Sequence, residues 1–402
     1  MLRFWTGLIL LLFFCSLIPA EAMASTEPQI MGEAALLMDL QNGQVLYSKN
    51  ADRHMYPAST TKILTAIIAL EKGHLNDIVT VPREATTVGG SAIGLQAGER
   101  LTLHDLLYAM LLASANDAAV TIADHIAGSV PAFAALMNEK ARQIGARESH
   151  FVNPDGMPDP NHYTTARDLA LIARYAMQND TFRQIVGSRY EKISRPDANK
   201  EKGQPQEFLW NHNKMLSSYA GTIGVKTGYT VAAGQCLVAA ARRNGRELLA
   251  VVLDSQGTFI YRDAETLLDY GFNHFQAQKL IERGQKVATF PVLYGAGPVA
   301  AVTAAGFSYD FGANGKETVE KKIIPEKNIR APLEPGQKIG QLVFLLQGRE
   351  LGRVDLVAAS AVSRNPVARW PVWLAAVALL LFVLRVRVFM RRRARVRSPR
   401  YE

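Results

Sequence analysis

Three short motifs stand in order along the chain: Ser59-Thr60-Thr61-Lys62, Ser114-Ala115-Asn116 and Lys226-Thr227-Gly228. Their residue types suit acyl transfer by a serine whose base is a lysine and not a histidine. A serine hydroxyl is a poor nucleophile at neutral pH and needs a base. A lysine serves if burial or a nearby cation lowers its pKa enough to leave it neutral. Lys62 follows Ser59 by one helical turn, so the two side chains face the same way. Lys226 is the candidate for the nearby cation. Ser114 would relay a proton to a leaving amine, and Asn116 would hold a substrate amide. Lys226 and Thr227 could hold a terminal carboxylate. Gly228 would let a substrate backbone come close.

Each motif alone is weak. Ser-x-x-Lys is expected by chance about once in a chain this long, and Ser-x-Asn occurs at Ser48, Ser114 and Ser363. Taken singly, Ser59 also reads as a helix cap with Lys62 on a solvated face. Lys226-Thr227-Gly228 reads as a Gly-rich turn, and Ser114-Ala115-Asn116 as a cap between two helices.

The elements that must position them follow from periodicity. Residues 34–40 are apolar, Gln41-Asn42-Gly43 is a turn signal, and residues 44–47 return, which predicts a hairpin. Residues 236–241 and 248–253 flank Arg243-Asn244-Gly245, a second hairpin signal. Between the hairpins, helices are predicted over 59–72 ending at Gly73, 103–111 starting at Thr102 and Asp105, 131–144 ending at Gly145, and from Thr164-Thr165 to Met177. Strands at both ends of a helical middle predict an α/β (α+β) catalytic domain over 27–275, one antiparallel sheet packed with helices. Helical periodicity stops near Gln276, and short apolar runs between Gly and Pro turns predict a small all-β domain over 276–362. Residues 363–369 read as a linker.

Both ends carry membrane signals. Residues 1–24 hold Arg3, an apolar run and Ala22-Met23-Ala24, the pattern of a signal peptide. Residues 370–390 read as a transmembrane anchor, though the uncharged part is shorter than the roughly 20 residues of a full span. Arg385 and Arg387 would snorkel to the interface, and Trp370 and Trp373 would mark the outer boundary. The basic tail, 391–402, is then cytoplasmic and the bulk of the chain extracytoplasmic. An amphipathic helix lying on the membrane surface is the other reading.

The formal net charge of +9 is mostly this tail. Eight arginines and one glutamate from Arg385 to Glu402 supply +7, and residues 1–24 are neutral, which leaves +2 for the exported part. Nucleic-acid binding is not implied; the charge is a topology and anionic-lipid signal. Of the two cysteines, Cys15 lies in the signal peptide, so Cys236 alone remains and reads as a buried thiol. The eight histidines show no metal-ligand spacing, and nothing calls for a cofactor.

Longer runs are more specific than the triplets. They are Tyr56-Pro57-Ala58-Ser59-Thr60-Thr61-Lys62, Gly221-Thr222-Ile223-Gly224-Val225-Lys226-Thr227-Gly228-Tyr229-Thr230, and His150-Phe151-Val152-Asn153-Pro154-Asp155-Gly156-Met157 followed by His162-Tyr163-Thr164-Thr165-Ala166-Arg167-Asp168. With them the chain resembles penicillin-recognising serine enzymes. It resembles most the low-molecular-mass penicillin-binding proteins, the D-alanyl-D-alanine carboxypeptidase family, from about residue 33 to residue 362. The resemblance implies a serine transpeptidase-like domain and a peptidoglycan stem peptide as substrate. It implies that the penultimate D-Ala acylates Ser59, that the terminal D-Ala leaves, and that water then hydrolyses the ester. β-Lactam antibiotics would acylate the same serine. Lys62 matches the family's general base, and Ser114 and Lys226 its relay partners. The N–H groups of Ser59 and Tyr229 would form the oxyanion hole. Arg262, in Tyr261-Arg262-Asp263-Ala264-Glu265, looks like the counterpart of an arginine that helps bind the substrate carboxylate.

Ala115 departs from a more frequent glycine, and Asp155 from a frequent histidine. A class A β-lactamase would also need a loop glutamate for deacylation. Residues 153–168 contain none, and Glu148 lies upstream. A DD-endopeptidase or transpeptidase acting on cross-links shares the chemistry, and a catalytically silent wall-binding module is a further alternative.

Overall fold

The computed structural model describes residues 27–202, 204–312, 317–365 and 370–396. The expected signal peptide lies outside them, as do parts of the linker and of the basic tail. The chain divides into two compact units between Gln276 and Ala277.

The first unit is built on a five-stranded antiparallel sheet. Its strands are β1 (Ala34–Asp39), β2 (Val45–Lys49), β3 (Thr222–Thr230), β4 (Gly234–Arg243) and β5 (Arg246–Ser255), in the spatial order β2-β1-β5-β4-β3. Both expected hairpins form. Asn244 and Gly245 turn the second, each with positive φ, which is the geometry a two-residue connection requires.

Every residue of β1 is buried, because both faces of the sheet are covered. Side-chain alternation divides the strands between two cores. Ala34, Leu36 and Met38 face the main helical layer, whereas Ala35 and Leu37 face the last helix of the unit. The main layer holds α1 (Lys62–Lys72), α2 (Leu103–Leu112), α3 (Asn116–Ala127), α4 (Val130–Ile144), α5 (Ala166–Ala176) and α6 (Asp180–Gly187). The opposite face is covered by α7 (Phe259–His274) through Ile260, Ala264, Leu267 and Leu268.

Caps fix the helix ends as their sequences require. The hydroxyl of Thr102 accepts from Asp105 N at 3.0 Å, and that of Thr165 from Asp168 N at 3.0 Å. Gly73 and Gly145 follow the last residues of α1 and α4.

The second unit carries another five-stranded antiparallel sheet. Its strands are β6 (Lys286–Phe290), β7 (Val299–Thr303), β8 (Glu320–Pro325), β9 (Lys338–Leu346) and β10 (Arg349–Ala358), ordered β6-β7-β10-β9-β8. Val299, Ala301, Leu342, Phe344 and Leu356 form its core. Helix α8 (Trp370–Val396) contains a 21-residue stretch, Trp373–Arg393, of mean hydropathy 2.2 with none of its surface buried. It is a candidate membrane anchor, long enough to cross a bilayer because the helix continues through Arg385 and Arg387.

Candidate active site

Ser59 sits in a short 3₁₀ turn, Ala58–Thr61, that runs directly into α1. Ala58 has φ +48°, a strained conformation for a residue with a Cβ. The surroundings hold it there. Thr60 Oγ1 donates to Pro57 O at 2.6 Å, and Gly156 packs against the turn so closely that a Cβ would lie 1.9 Å from Ala58 O. Thr60 N donates to Pro57 O at 3.3 Å, whereas the N–H of Ser59, nearer the start of the turn, has no acceptor within it.

Lys62 is fully buried behind Ser59. Its Nζ lies 2.9 Å from Ser59 Oγ, 2.6 Å from Asn116 Oδ1 and 2.6 Å from the Asp155 carbonyl oxygen. The Asn116 orientation is fixed by its other end, since Nδ2 donates to Gly89 O at 2.6 Å. Two of the three partners of Lys62 are therefore pure acceptors. A neutral amine has two N–H donors and one lone pair. When the amine is neutral, the donors go to Asn116 and Asp155 and the lone pair is left facing the Ser59 hydroxyl; when it is protonated, Nζ also donates to Ser59 Oγ. Burial drives the amine toward that state and pushes its pKa down to about 8. Of the two causes the sequence offered, burial is the leading one, and the nearby carboxylates of Asp155 and Asp117 oppose it.

Lys226 lies on β3, an edge strand, and is itself buried. Its Nζ donates to Ser114 Oγ at 3.1 Å and to Thr227 O at 2.9 Å. Burial first, and then repulsion from Lys62, holds its pKa well below the usual lysine range. Ser114 occupies the junction between α2 and α3 with φ +60°, a second strained non-glycine residue in the site. The junction aims Ser114 at Lys226 while Asn116, the first residue of α3, turns to Lys62.

A cleft of about 690 Å³ opens over this group. Ser59, Asn116, Asp155 and Gly156 line it, and Tyr229 to Ala232 form one side. Thr227 is half-buried and Tyr229 is exposed on the same edge strand. At Gly228 a Cβ would stand 2.9 Å from Ser59 N and 3.1 Å from Ala58 Cβ, so the missing side chain lets β3 pack against the turn that holds Ser59. The Asn116 carbonyl is committed to Lys62 and one amide N–H to Gly89, which leaves a single N–H for a substrate.

Arg262 is not among the residues lining this cleft. Helical spacing places it with Thr266, Asp269 and Asn273 on one side of α7, where they line a separate cavity of about 940 Å³ with Glu27 and Met31. Glu148 does not line the cleft either; it pairs with His54 at 3.4 Å. Cys236 is buried, and its thiol is pushed up to about 12 by desolvation.

Sequence reasoning gave two further residues no task. Asp155 supplies the carbonyl that holds Lys62, and its carboxylate accepts from Met157 N at 3.0 Å. His162 accepts from Val152 N through Nδ1 at 3.2 Å, so the proton is on Nε2 and is donated to Thr61 Oγ1 at 2.9 Å. Burial lowers its pKa to about 4, which keeps the ring neutral. Both lie in the long run over residues 150–168, which was the available signal.

Residues 21–257 match the family model described as D-alanyl-D-alanine carboxypeptidase, and residues 275–364 match that of the penicillin-binding protein 5 C-terminal domain. The chain is 33% identical over 335 residues to the D-alanyl-D-alanine carboxypeptidase DacF of Bacillus subtilis, covering 81% of this chain and 84% of the relative. The crystal structure of penicillin-binding protein 5 from Haemophilus influenzae is similar at a TM-score of 0.72, with 28% identity, over 84% of this chain and 99% of that one. A mutant of the Streptomyces K15 DD-transpeptidase is similar at a TM-score of 0.57, with 34% identity, over 61% of this chain and all (100%) of that one.

Proposed function

The chain belongs to the D-alanyl-D-alanine carboxypeptidase family of serine penicillin-binding proteins, and from that premise we propose how its own residues perform the reaction. Ser59 is the nucleophile and Lys62 its general base. Neutral Lys62 takes the Ser59 proton as Oγ attacks the carbonyl of the penultimate D-Ala. The N–H groups of Ser59 and Tyr229 receive the developing oxyanion. Ser114, held by Lys226, passes a proton to the departing D-Ala amine. Lys226 and Thr227 hold the terminal carboxylate, and Asn116 chiefly orients Lys62. Water then hydrolyses the acyl-enzyme with Lys62 again as base. A β-lactam acylates Ser59 by the same attack.

The observation that carries this reading is the geometry at Lys62 Nζ. Two pure acceptors take its N–H groups, and its remaining partner is Ser59 Oγ at 2.9 Å.

The substrate is the stem pentapeptide of peptidoglycan, from which one D-Ala is removed. Residues 27–275 form the catalytic domain and 276–362 the β-domain. The apolar stretch of α8 anchors the protein, with the arginine-rich tail inside and the catalytic domain outside the cell membrane. Similarity to a protein named a DD-transpeptidase favours one second reading, action on cross-links.

Mass spectrometry of the full chain in detergent with a pentapeptide ending in D-Ala-D-Ala decides between them. Loss of one D-Ala is expected, and Ser59→Ala is expected to abolish both that loss and labelling by a fluorescent penicillin. Labelling of Ser59 without D-Ala release shifts the assignment to cross-linked muropeptides. Unchanged labelling of Ser59→Ala refutes the nucleophile.

A further inference from the structure

The two anchors of the proposed reaction fix the direction of the bound peptide. Lys226 and Thr227 take its C-terminal carboxylate, and Tyr229, further along β3, takes the scissile carbonyl. The peptide therefore runs antiparallel to this edge strand, as in strand addition. Its upstream residues pass Thr230 and Val231 and arrive at Ala232. β3 ends at Thr230, and Val231, Ala232 and Ala233 turn into β4, so the upstream end of the peptide meets this turn.

Ala232 is shared by two cavities. It lines the Ser59 cleft, and it also lines a cavity of about 440 Å³ with Arg53, His54, Tyr56 and Tyr163. The rings of His54 and Tyr163 stack there at a centroid distance of 4.4 Å and an angle of 22°. Two polar side chains around this cavity already have partners. Arg53 is paired with Glu33, and His54 with Glu148. Such a cavity is not built for one isolated charge. It offers ring faces and stems to an amphipathic segment with hydrogen-bonding backbone.

We propose that this cavity is a subsite for the first two residues of the stem peptide, those furthest upstream of the acylated D-Ala. The inference rests on the reading of the cleft given above and extends it. Contacts so far from the reacting carbonyl supply binding energy that shorter substrates lack, so lengthening the peptide raises kcat/KM.

The test compares a diacetylated tripeptide ending in D-Ala-D-Ala with the full pentapeptide, on the full chain in detergent. The wild type is expected to prefer the pentapeptide by about ten-fold or more in kcat/KM, the size of one or two side-chain contacts. His54→Ala and Tyr163→Ala should each remove most of that preference. Tripeptide turnover and penicillin acylation should stay at wild-type level in both variants. His54 is half exposed, so its replacement leaves the fold intact. A wild type without the preference, or variants that keep it, or variants that lose tripeptide and pentapeptide turnover alike, would overturn the subsite and leave the carboxypeptidase reading standing. D-Ala release from neither peptide by the wild type would take down both.

Discussion

The ionisation of Lys62 makes the most demanding prediction. Burial lowers its pKa from 10.5 to about 8. At pH 7 roughly one molecule in ten then holds a neutral amine, against roughly one in three thousand for an ordinary lysine. That gain of about 300-fold in active base corresponds to about 3 kcal/mol. The neutral form is the competent one, so the rate of acylation must rise with pH. It should climb about ten-fold from pH 6 to pH 7 and level off above pH 8. The assay is single-turnover acylation by a fluorescent penicillin across pH 5.5 to 9.5. Lys62→Met fills similar volume without a base and should lose a factor of about 10² to 10⁴ at the plateau. A rate that is flat over this range, an inflection near the ordinary lysine pKa, or a Lys62→Met variant within ten-fold of the wild type would refute the assignment.

Three other perturbations follow from the same geometry. The folded-state pKa of Lys62 lies below its unfolded value, so the unfolded chain binds more protons between about pH 8 and pH 10.5, and the contribution of Lys62 to stability rises with pH through that window. The melting temperature of the wild type minus that of Lys62→Met should accordingly rise as pH is raised from 8 to 10.5. Gly228→Ala places a Cβ 2.9 Å from Ser59 N, so β3 must move off the turn that holds Ser59; penicillin acylation should fall by about 10² or more, as for loss of an oxyanion donor, with a lower melting temperature from the overpacking, about 1–3 kcal/mol. Arg195 and Glu99 form a fully buried pair at 2.7 Å, and Arg195 also donates to Ile93 O and Gly94 O at 2.8 Å. Arg195→Ala leaves Glu99 buried and uncompensated, and urea unfolding should show a loss of about 3–5 kcal/mol.

The sequence by itself determined whatever depends on neighbours a few residues apart. Ser59 and Lys62 share a helical turn, so their meeting was legible from spacing alone. Thr102, Thr165, Gly73 and Gly145 marked helix ends because caps are local hydrogen-bond and backbone devices. Asn244-Gly245 marked a hairpin for the same reason, and the apolar run of α8 marked a candidate span by length and composition. The motif runs identified the family before any contact was known.

Only the tertiary structure decided what those residues do to one another. Lys62 is stripped of water because chain segments from Gly89, Asn116 and Asp155 close around it, and no local pattern predicts that burial. Gly228 proves to serve the packing of β3 on Ser59, since only the fold brings two segments so distant in sequence into contact. Arg262 lies beside a different cavity, because the rotation of α7 on the sheet sets where its side chain emerges. Desolvation, close packing and helix phase arise from contacts between segments remote in sequence, and for that reason they are written in the fold and not in the motifs.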